Sequence, residues 1–170
     1  MITTMRIAGT IKHSLVNGPG IRFVVFFQGC IHHCKGCQNM DTWDPDGGES
    51  IEPDELIEMI RNTKHLDGVT LSGGDPFMQA QSAAYVAKAC HDMGLSVWCY
   101  TGYTYEEIME GKAPEGAVEL LGETDVLVDG RFEIDLKSEE CLYRGSTNQR
   151  LIDTKESIAK EYVCDWRQTD

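Results

Sequence analysis

The chain has 170 residues, 41% of them hydrophobic, and its 15 basic against 28 acidic side chains leave a formal charge of −13. That length fits a single domain, residues 1–170, with an expected radius of gyration of roughly 15 Å. The charge excludes a phosphate-rich partner, since nucleic-acid binding needs clustered Lys and Arg, and the absence of any apolar stretch near ~20 residues or of a signal-peptide pattern predicts a cytoplasmic protein with no membrane partner.

In chain order, a β-branched stretch near Ile7 to Ile11 precedes a stronger strand, Ile21 to Phe27, whose continuous apolar run predicts burial on both faces. Next comes Cys30-Ile-His-His-Cys34-Lys-Gly-Cys37, three thiols within eight residues. Seven cysteines, an odd count, read as ligands and buried thiols rather than disulfides in a reducing compartment. Cys90, Cys99, Cys141 and Cys164 are too scattered for a second cluster loop and are expected to be buried small side chains. A 4Fe-4S cluster normally takes four cysteines, so three leave one iron open to a second molecule. The competing reading is a zinc site completed by His32, His33 or a distant cysteine; the two histidines are otherwise expected to be exposed loop residues.

Pro53 to Lys64, with Pro at its start, acids in the first turn and apolar residues at 56, 57 and 60, predicts an amphipathic helix. Gly68 to Leu71 reads as a strand, Pro76 opens a helix that Gly94 stops, and Leu95 to Tyr100 is a third strand. Tyr105 to Met109 and Ala117 to Leu121 are helical, and Val126 to Asp129 is another strand. Leu151 to Asp153 predicts one more strand, and Tyr162 to Trp166 a strand or a frayed helix end. This βα alternation predicts an α/β fold with a mostly parallel sheet and right-handed crossovers. A closed eightfold barrel typically takes ~250 residues, so the chain has room for a partial, open βα barrel or a small open sheet. Ligands bind beyond the carboxyl ends of such strands, and the cysteine loop, Ser72-Gly-Gly-Asp-Pro76, Tyr100-Thr-Gly-Tyr103 and Asp129-Gly-Arg131 all fall there.

The Cys-x3-Cys-x2-Cys spacing of Cys30, Cys34 and Cys37 resembles the cluster loop of the radical S-adenosylmethionine superfamily. That resemblance implies that the amino and carboxylate groups of S-adenosylmethionine chelate the open iron, and that an electron from the cluster cleaves the sulfonium to methionine and a 5′-deoxyadenosyl radical. Ser72, Gly73, Gly74 and Asp75 look like the superfamily's Gly-Gly-Glu element, with Asp75 in place of the glutamate, and imply carbonyls that accept hydrogen bonds from the ligand ammonium. The backbone at Gly36, Cys37 and Gln38 is implied to lie beside the adenine. Gly36 departs from the aromatic residue common at its position. Asp129 is a candidate contact to the methionyl or ribose part, with helix capping or pairing to Arg131 as the alternative. For Arg22 and Arg144, pairing with acids and holding the ligand carboxylate both stay open. Trp43 is a candidate shield of the cluster or a packing residue.

Further motifs narrow the resemblance to the glycyl-radical activating enzymes. Asn17-Gly-Pro-Gly-Ile-Arg22, Gln28-Gly-Cys30, Asn39 with Thr42-Trp43, Val128-Asp-Gly-Arg-Phe132 and Arg144-Gly-Ser-x-Asn-Gln-Arg150 are together similar to the activating proteins of the anaerobic ribonucleoside-triphosphate reductase. The resemblance implies a partial barrel of the radical SAM type, one 4Fe-4S cluster, S-adenosyl-L-methionine, the large reductase subunit as protein substrate, and a flavodoxin or ferredoxin as electron donor in an anaerobic setting. The rival readings are a pyruvate formate-lyase activase, a deazapurine carboxylate synthase, and a non-catalytic iron-sulfur or zinc protein.

Overall fold

A computed structural model describes residues 4–37 and 39–167. Seven strands form one sheet in the order β3-β1-β2-β4-β5-β6-β7. They are β1 (Met5–Ser14), β2 (Arg22–Phe27), β3 (Glu49–Ile51), β4 (Gly68–Gly73), β5 (Ser96–Tyr100), β6 (Val126–Asp129) and β7 (Arg150–Asp153). The neighbours β2, β4, β5 and β6 are mutually parallel, as the βα alternation predicts. β1 pairs antiparallel with β2, because the short link between them is too short for a crossover. β3 and β7 close the two edges antiparallel. The sheet does not close into a barrel.

The helices are α1 (Pro53–Arg61), α2 (Ala80–Asp92), α3 (Tyr105–Met109), α4 (Ala117–Gly122) and α5 (Thr154–Lys160). The period of two along each strand assigns the faces. Phe23, Val25, Phe27, Val69, Leu71, Val97, Cys99 and Leu127 join one core with Leu56, Ile60, Val86 and Leu120 of the helices. Burial of Phe23 and Phe27 contributes roughly 1.5–3 kcal/mol each. The opposite face carries a thinner cluster, Trp98, Val126 and Val128, against which Tyr100, Tyr143, Leu151 and Trp166 pack. Helices therefore cover one face only, and the other face is the interior of a partial barrel.

The lower end of that interior is filled by Arg22. Its guanidinium donates to Thr70 Oγ1 (2.8 Å), Pro19 O (3.1 Å), Val69 O (2.9 Å), and Ser96 Oγ and O (both 3.0 Å). It also lies 5.7 Å from the centre of the Trp98 ring. Burial lowers its pKa to about 10. Arg22 is thus committed to the scaffold, at the end of the strands opposite to the cysteine loop.

Several elements differ from the sequence expectation. β3 and α5 were not foreseen, α1 ends at Arg61, and the helix opened by Pro76 begins as a 3-10 turn, Pro76–Gln79, before α2. Tyr162 to Trp166 is neither helix nor strand; it attaches by an isolated bridge between Ile152 and Asp165 and by Trp166 N–H donating to Leu151 O. No helix among the described residues is long and apolar enough to cross a membrane.

Candidate functional site

The cysteine loop leaves the end of β2 and is pinned at its base by the segment that follows it. Gly29 N–H donates to Thr42 O (2.6 Å) and Cys30 N–H to Trp43 O (3.2 Å). The buried Gln28 amide donates to Asp41 O (2.9 Å) and Asp44 O (2.8 Å). Within the loop, Cys37 N–H donates to Cys34 O, closing a turn. His33 stacks on Trp43 with ring centres 4.4 Å apart, so Trp43 packs against the loop, one of its two expected roles.

Cys30, Cys34 and Cys37 line one cavity of about 470 Å³. Ser72, Gly73 and Gly74 line it from the end of β4, Tyr100, Thr101 and Gly102 from the end of β5, and Gly130 and Phe132 from the end of β6. The carboxyl ends of all four parallel strands thus meet there. The three cysteines border a shared space; among the described residues no three His, Cys, Asp or Glu groups converge on a single-ion position. Burial pushes the Cys30 thiol up to about 11, and burial raises Cys34 too, against a lowering hydrogen bond from the Phe132 backbone. A cluster held by these thiols would need them as thiolates, so its loading would release protons.

Gly73 and Gly74 are required by backbone packing as well as by the cavity. A Cβ on Gly73, at φ +120, would lie 2.3 Å from the nitrogen and oxygen of Phe27. On Gly74 it would lie 2.5 Å from Gly29 O. The tight seam between β4 and the start of the cysteine loop therefore admits only glycine. Asn39, whose Nδ2 donates to Gly73 O at 3.2 Å, ties the far side of the loop to the same strand end.

Gly36, at φ +79, is outside the cavity lining, and a side chain there would meet Ile134 Cδ1 at 2.6 Å. Ile134 fills the space that an aromatic residue would need. Gln38 lies outside the described residues.

Asp75 stands behind the wall. It is fully buried; Oδ2 accepts from His32 Nε2 (2.8 Å), Thr101 Oγ1 (2.8 Å) and Gly102 N–H (2.9 Å), while Oδ1 accepts from Phe77 N–H (2.9 Å). The proton on His32 Nε2 is assigned from the acceptor-only carboxylate that it faces. With those four contacts the carboxylate is not presented to a ligand, which corrects its expected role. His32 is corrected with it. Its side chain is only 2% exposed, it lies edge-on to Tyr103, and it anchors the cysteine loop between Cys30 and Cys34.

Asp129 is not presented to the cavity either; of its expected roles, capping of a helix start holds, and the ligand contact and the pairing with Arg131 are corrected. Its buried carboxylate accepts from Tyr105 N–H (2.8 Å) at the start of α3 and from Arg150 Nε (3.0 Å) and Nη2 (2.5 Å). Its partner is Arg150, not Arg131, which pairs with Glu107 at 3.4 Å. Of the remaining cysteines, Cys90 and Cys99 are buried as expected, whereas Cys141 and Cys164 are half-exposed and Cys141 lines the cavity. No spacing pattern ties Cys141 to the loop; a hairpin brings it there.

Comparison with known proteins agrees with this geometry. The 4Fe-4S single cluster domain family matches residues 16–152. The anaerobic ribonucleoside-triphosphate reductase-activating protein of Enterobacteria phage T4 is 33% identical over 85% of this chain and 92% of its own length. That of Escherichia coli K12 is 36% identical over 79% of this chain and 90% of its own. The pyruvate formate-lyase 1-activating enzyme of Escherichia coli K12 is 31% identical over 89% of this chain but only 61% of its own. Among solved structures, QueE from Escherichia coli aligns with a TM-score of 0.48 at 12% identity, covering 74% of this chain and 71% of that one. The match across most of both chains, together with three cysteines and two glycines on one cavity, places this chain in the family of anaerobic ribonucleoside-triphosphate reductase-activating proteins, radical SAM enzymes that carry an iron-sulfur cluster.

Proposed function

We propose that the chain reductively cleaves S-adenosylmethionine and thereby generates a glycyl radical on the large subunit of the anaerobic ribonucleoside-triphosphate reductase. The supporting observation is the convergence of Cys30, Cys34 and Cys37 with Gly73 and Gly74 on one cavity at the carboxyl ends of the parallel strands. Held by the thiols of Cys30, Cys34 and Cys37, a 4Fe-4S cluster would supply the electron for reductive cleavage of the sulfonium to methionine and a 5′-deoxyadenosyl radical, the species that would take a hydrogen atom from a backbone glycine of the partner.

The chain's own residues hold and shape the site. Gln28 and the Thr42 and Trp43 carbonyls fix the base of the cysteine loop. His32 on Asp75 fixes its middle, and Asn39 on Gly73 its exit. Ser72, Gly73 and Gly74 provide the polar backbone wall that receives the ligand ammonium, and Cys37 borders the adenine. The open side of the sheet gives a loop of another protein a way in, which a closed, filled barrel lacks. The electron arrives from a flavodoxin or ferredoxin docking beside the cysteine loop.

The test is anaerobic: cluster-loaded protein, a reductant and S-adenosylmethionine should yield methionine and 5′-deoxyadenosine, and with the reductase subunit present a glycine-centred doublet in the electron paramagnetic resonance spectrum. Cys34→Ala should abolish both. Cleavage without the doublet would move the assignment to another radical SAM substrate.

A further inference from the structure

The residues after α5 run back along the outer edge of β7 as a strap. Asp153 N–H donates to Cys164 O (2.9 Å) and Trp166 N–H to Leu151 O (2.8 Å), and Ile152 and Asp165 form a bridge. Cys164 N–H donates to Ser157 Oγ (2.8 Å), which ties the strap to α5. These main-chain bonds occupy groups that an edge strand otherwise leaves unpaired, and any residue but proline at 166 could make them. The side chain does something else. The Trp166 ring packs on the interior face of the sheet, edge-on to Trp98 with centres 4.8 Å apart and tilted against Tyr143 at 6.4 Å.

Tyr143 belongs to a second element, the short hairpin after β6. Lys137 and Ser146 form its bridge, and Ser138 N–H donates to Gly145 O at 3.2 Å. Cys141, Tyr143, Arg144 and Gly145 of this hairpin line the cavity that the three cluster cysteines border. Its base is locked by Gln149, whose Oε1 accepts from Gly145 N–H (2.9 Å) and Ser146 N–H (3.2 Å). Nearer the tip, the Tyr143 backbone is left-handed, φ +62, a conformation that a side chain of this size keeps only where its surroundings impose it. Those surroundings are Tyr100, whose O–H donates to Tyr143 O at 2.6 Å, and the rings of Trp98, edge-on at 5.2 Å, and Trp166.

We infer that Trp166 is a positioning residue: through Tyr143, the carboxyl-terminal strap holds the hairpin wall of the cavity in the place that S-adenosylmethionine binding requires. The inference rests on the function proposed above. Trp166 is not part of the cavity lining, so it acts on the ligand only through the hairpin. Relaxation of the left-handed turn at Tyr143 moves the backbone from Cys141 to Gly145, and with it one side of the cavity. The cysteine loop is anchored separately, by Gln28, His32 and Asn39, so loss of the Trp166 ring leaves iron loading intact.

The experiment compares the anaerobic, cluster-loaded protein with W166A, which removes the ring but keeps the main-chain bonds of the strap, and with W166F, which keeps an aromatic ring. It reads amide hydrogen exchange by mass spectrometry, equilibrium binding of S-adenosylmethionine, and iron content. In W166A, exchange across residues 138–146 should rise by about fivefold, the scale of one lost aromatic pair, while β2 and β4 stay as in wild type. S-adenosylmethionine should bind about fivefold more weakly, at unchanged iron content, and W166F should restore both readings to within about twofold. Should W166A not fold, Trp166→Leu keeps apolar bulk without the ring and must show the same two changes. Hairpin exchange that does not change, exchange that rises equally in every strand, or a loosened hairpin with unaltered ligand binding overturns the inference and leaves the proposed function standing. A wild-type protein that binds no S-adenosylmethionine overturns the proposed function, and hairpin exchange then decides alone whether Trp166 positions the wall.

Discussion

Asp75 shows how a residue in a ligand-binding motif can work one layer behind the ligand. Its carboxylate joins the cysteine loop through His32, the end of β5 through Thr101 and Gly102, and the turn before α2 through Phe77. Asp75→Asn preserves the shape but turns an amide N–H toward donors that need an acceptor. Leaving such a buried group mismatched costs about 3 kcal/mol, so urea unfolding of the variant should show that loss, and its cysteine loop should retain less iron. A variant of unchanged stability with weakened ligand binding would instead return Asp75 to the cavity. The meeting of Cys30, Cys34 and Cys37 at one cavity was legible because their spacing is local. The roles of Asp75 and His32 and the Arg150 partner of Asp129 were not, because each is set by partners far away in sequence, 43 residues in the His32–Asp75 pair. Cys141 was illegible for the same reason. The place of Arg22 likewise needed the fold, since only its contacts show a guanidinium saturated by Thr70, Pro19, Val69 and Ser96.

At the scale of elements, the four parallel strands and the helices between them follow from apolar period, Pro at helix starts and Gly at stops. What periodicity cannot supply is pairing direction, so the antiparallel attachment of β1, β3 and β7 came only with the sheet. β3 is three residues of mixed polarity, below the length at which a pattern exists. α5 did carry a local signal, Asp153-Thr-Lys-Glu156, in which the Asp153 side chain accepts from Glu156 N–H. Asp125 joins these elements at the amino ends of the strands. It accepts from Val97 N–H and His91 Nε2 (both 2.7 Å) and pairs with Lys155 of α5 at 3.2 Å. Burial pushes its carboxyl up, but the Val97, His91 and Lys155 interactions together outweigh it and hold the group below the usual carboxylate range. A carboxyl depressed in the folded state stabilises above its unfolded pKa of ~3.9 and loses that contribution as pH falls through the folded value. Asp125→Asn should therefore be less stable than wild type at pH 7, by about 1–2 kcal/mol, with the difference shrinking below about pH 4. Denaturant midpoints across pH 3–7 check this, and a gap that persists at the acid end would remove the charge as its origin.

The whole molecule is a half-open cup whose two ends are treated oppositely. At the carboxyl ends of the parallel strands, thiols, glycines and Arg144 border a cavity. At the other end, Arg22 fills the interior beneath Trp98, with Tyr143 and Trp166 packed against that ring. A Cβ on Gly68 would lie 2.5 Å from Arg22 Nη1, so the neighbouring strand is shaped to the guanidinium. A sheet with helices on one face has no second helical layer to seal its interior, and a planar cation with five directed donors satisfies strand carbonyls there that an apolar side chain would leave unpaired. With its pKa lowered only to about 10, Arg22 keeps its charge at neutral pH. A lysine's ammonium is neutralised by burial more readily than a guanidinium, and its three donors do not reproduce the planar fork over Trp98. Arg22→Lys should thus lose about 3 kcal/mol of unfolding free energy, the scale for breaking a buried charged network, read as a lower urea midpoint at unchanged slope. Iron bound per folded molecule should stay at the wild-type level, because the cysteine loop hangs from the opposite end of β2. A lysine variant as stable as wild type would show that charge alone fills the cup, and one that loses iron while staying folded would show that the two ends are coupled through β2.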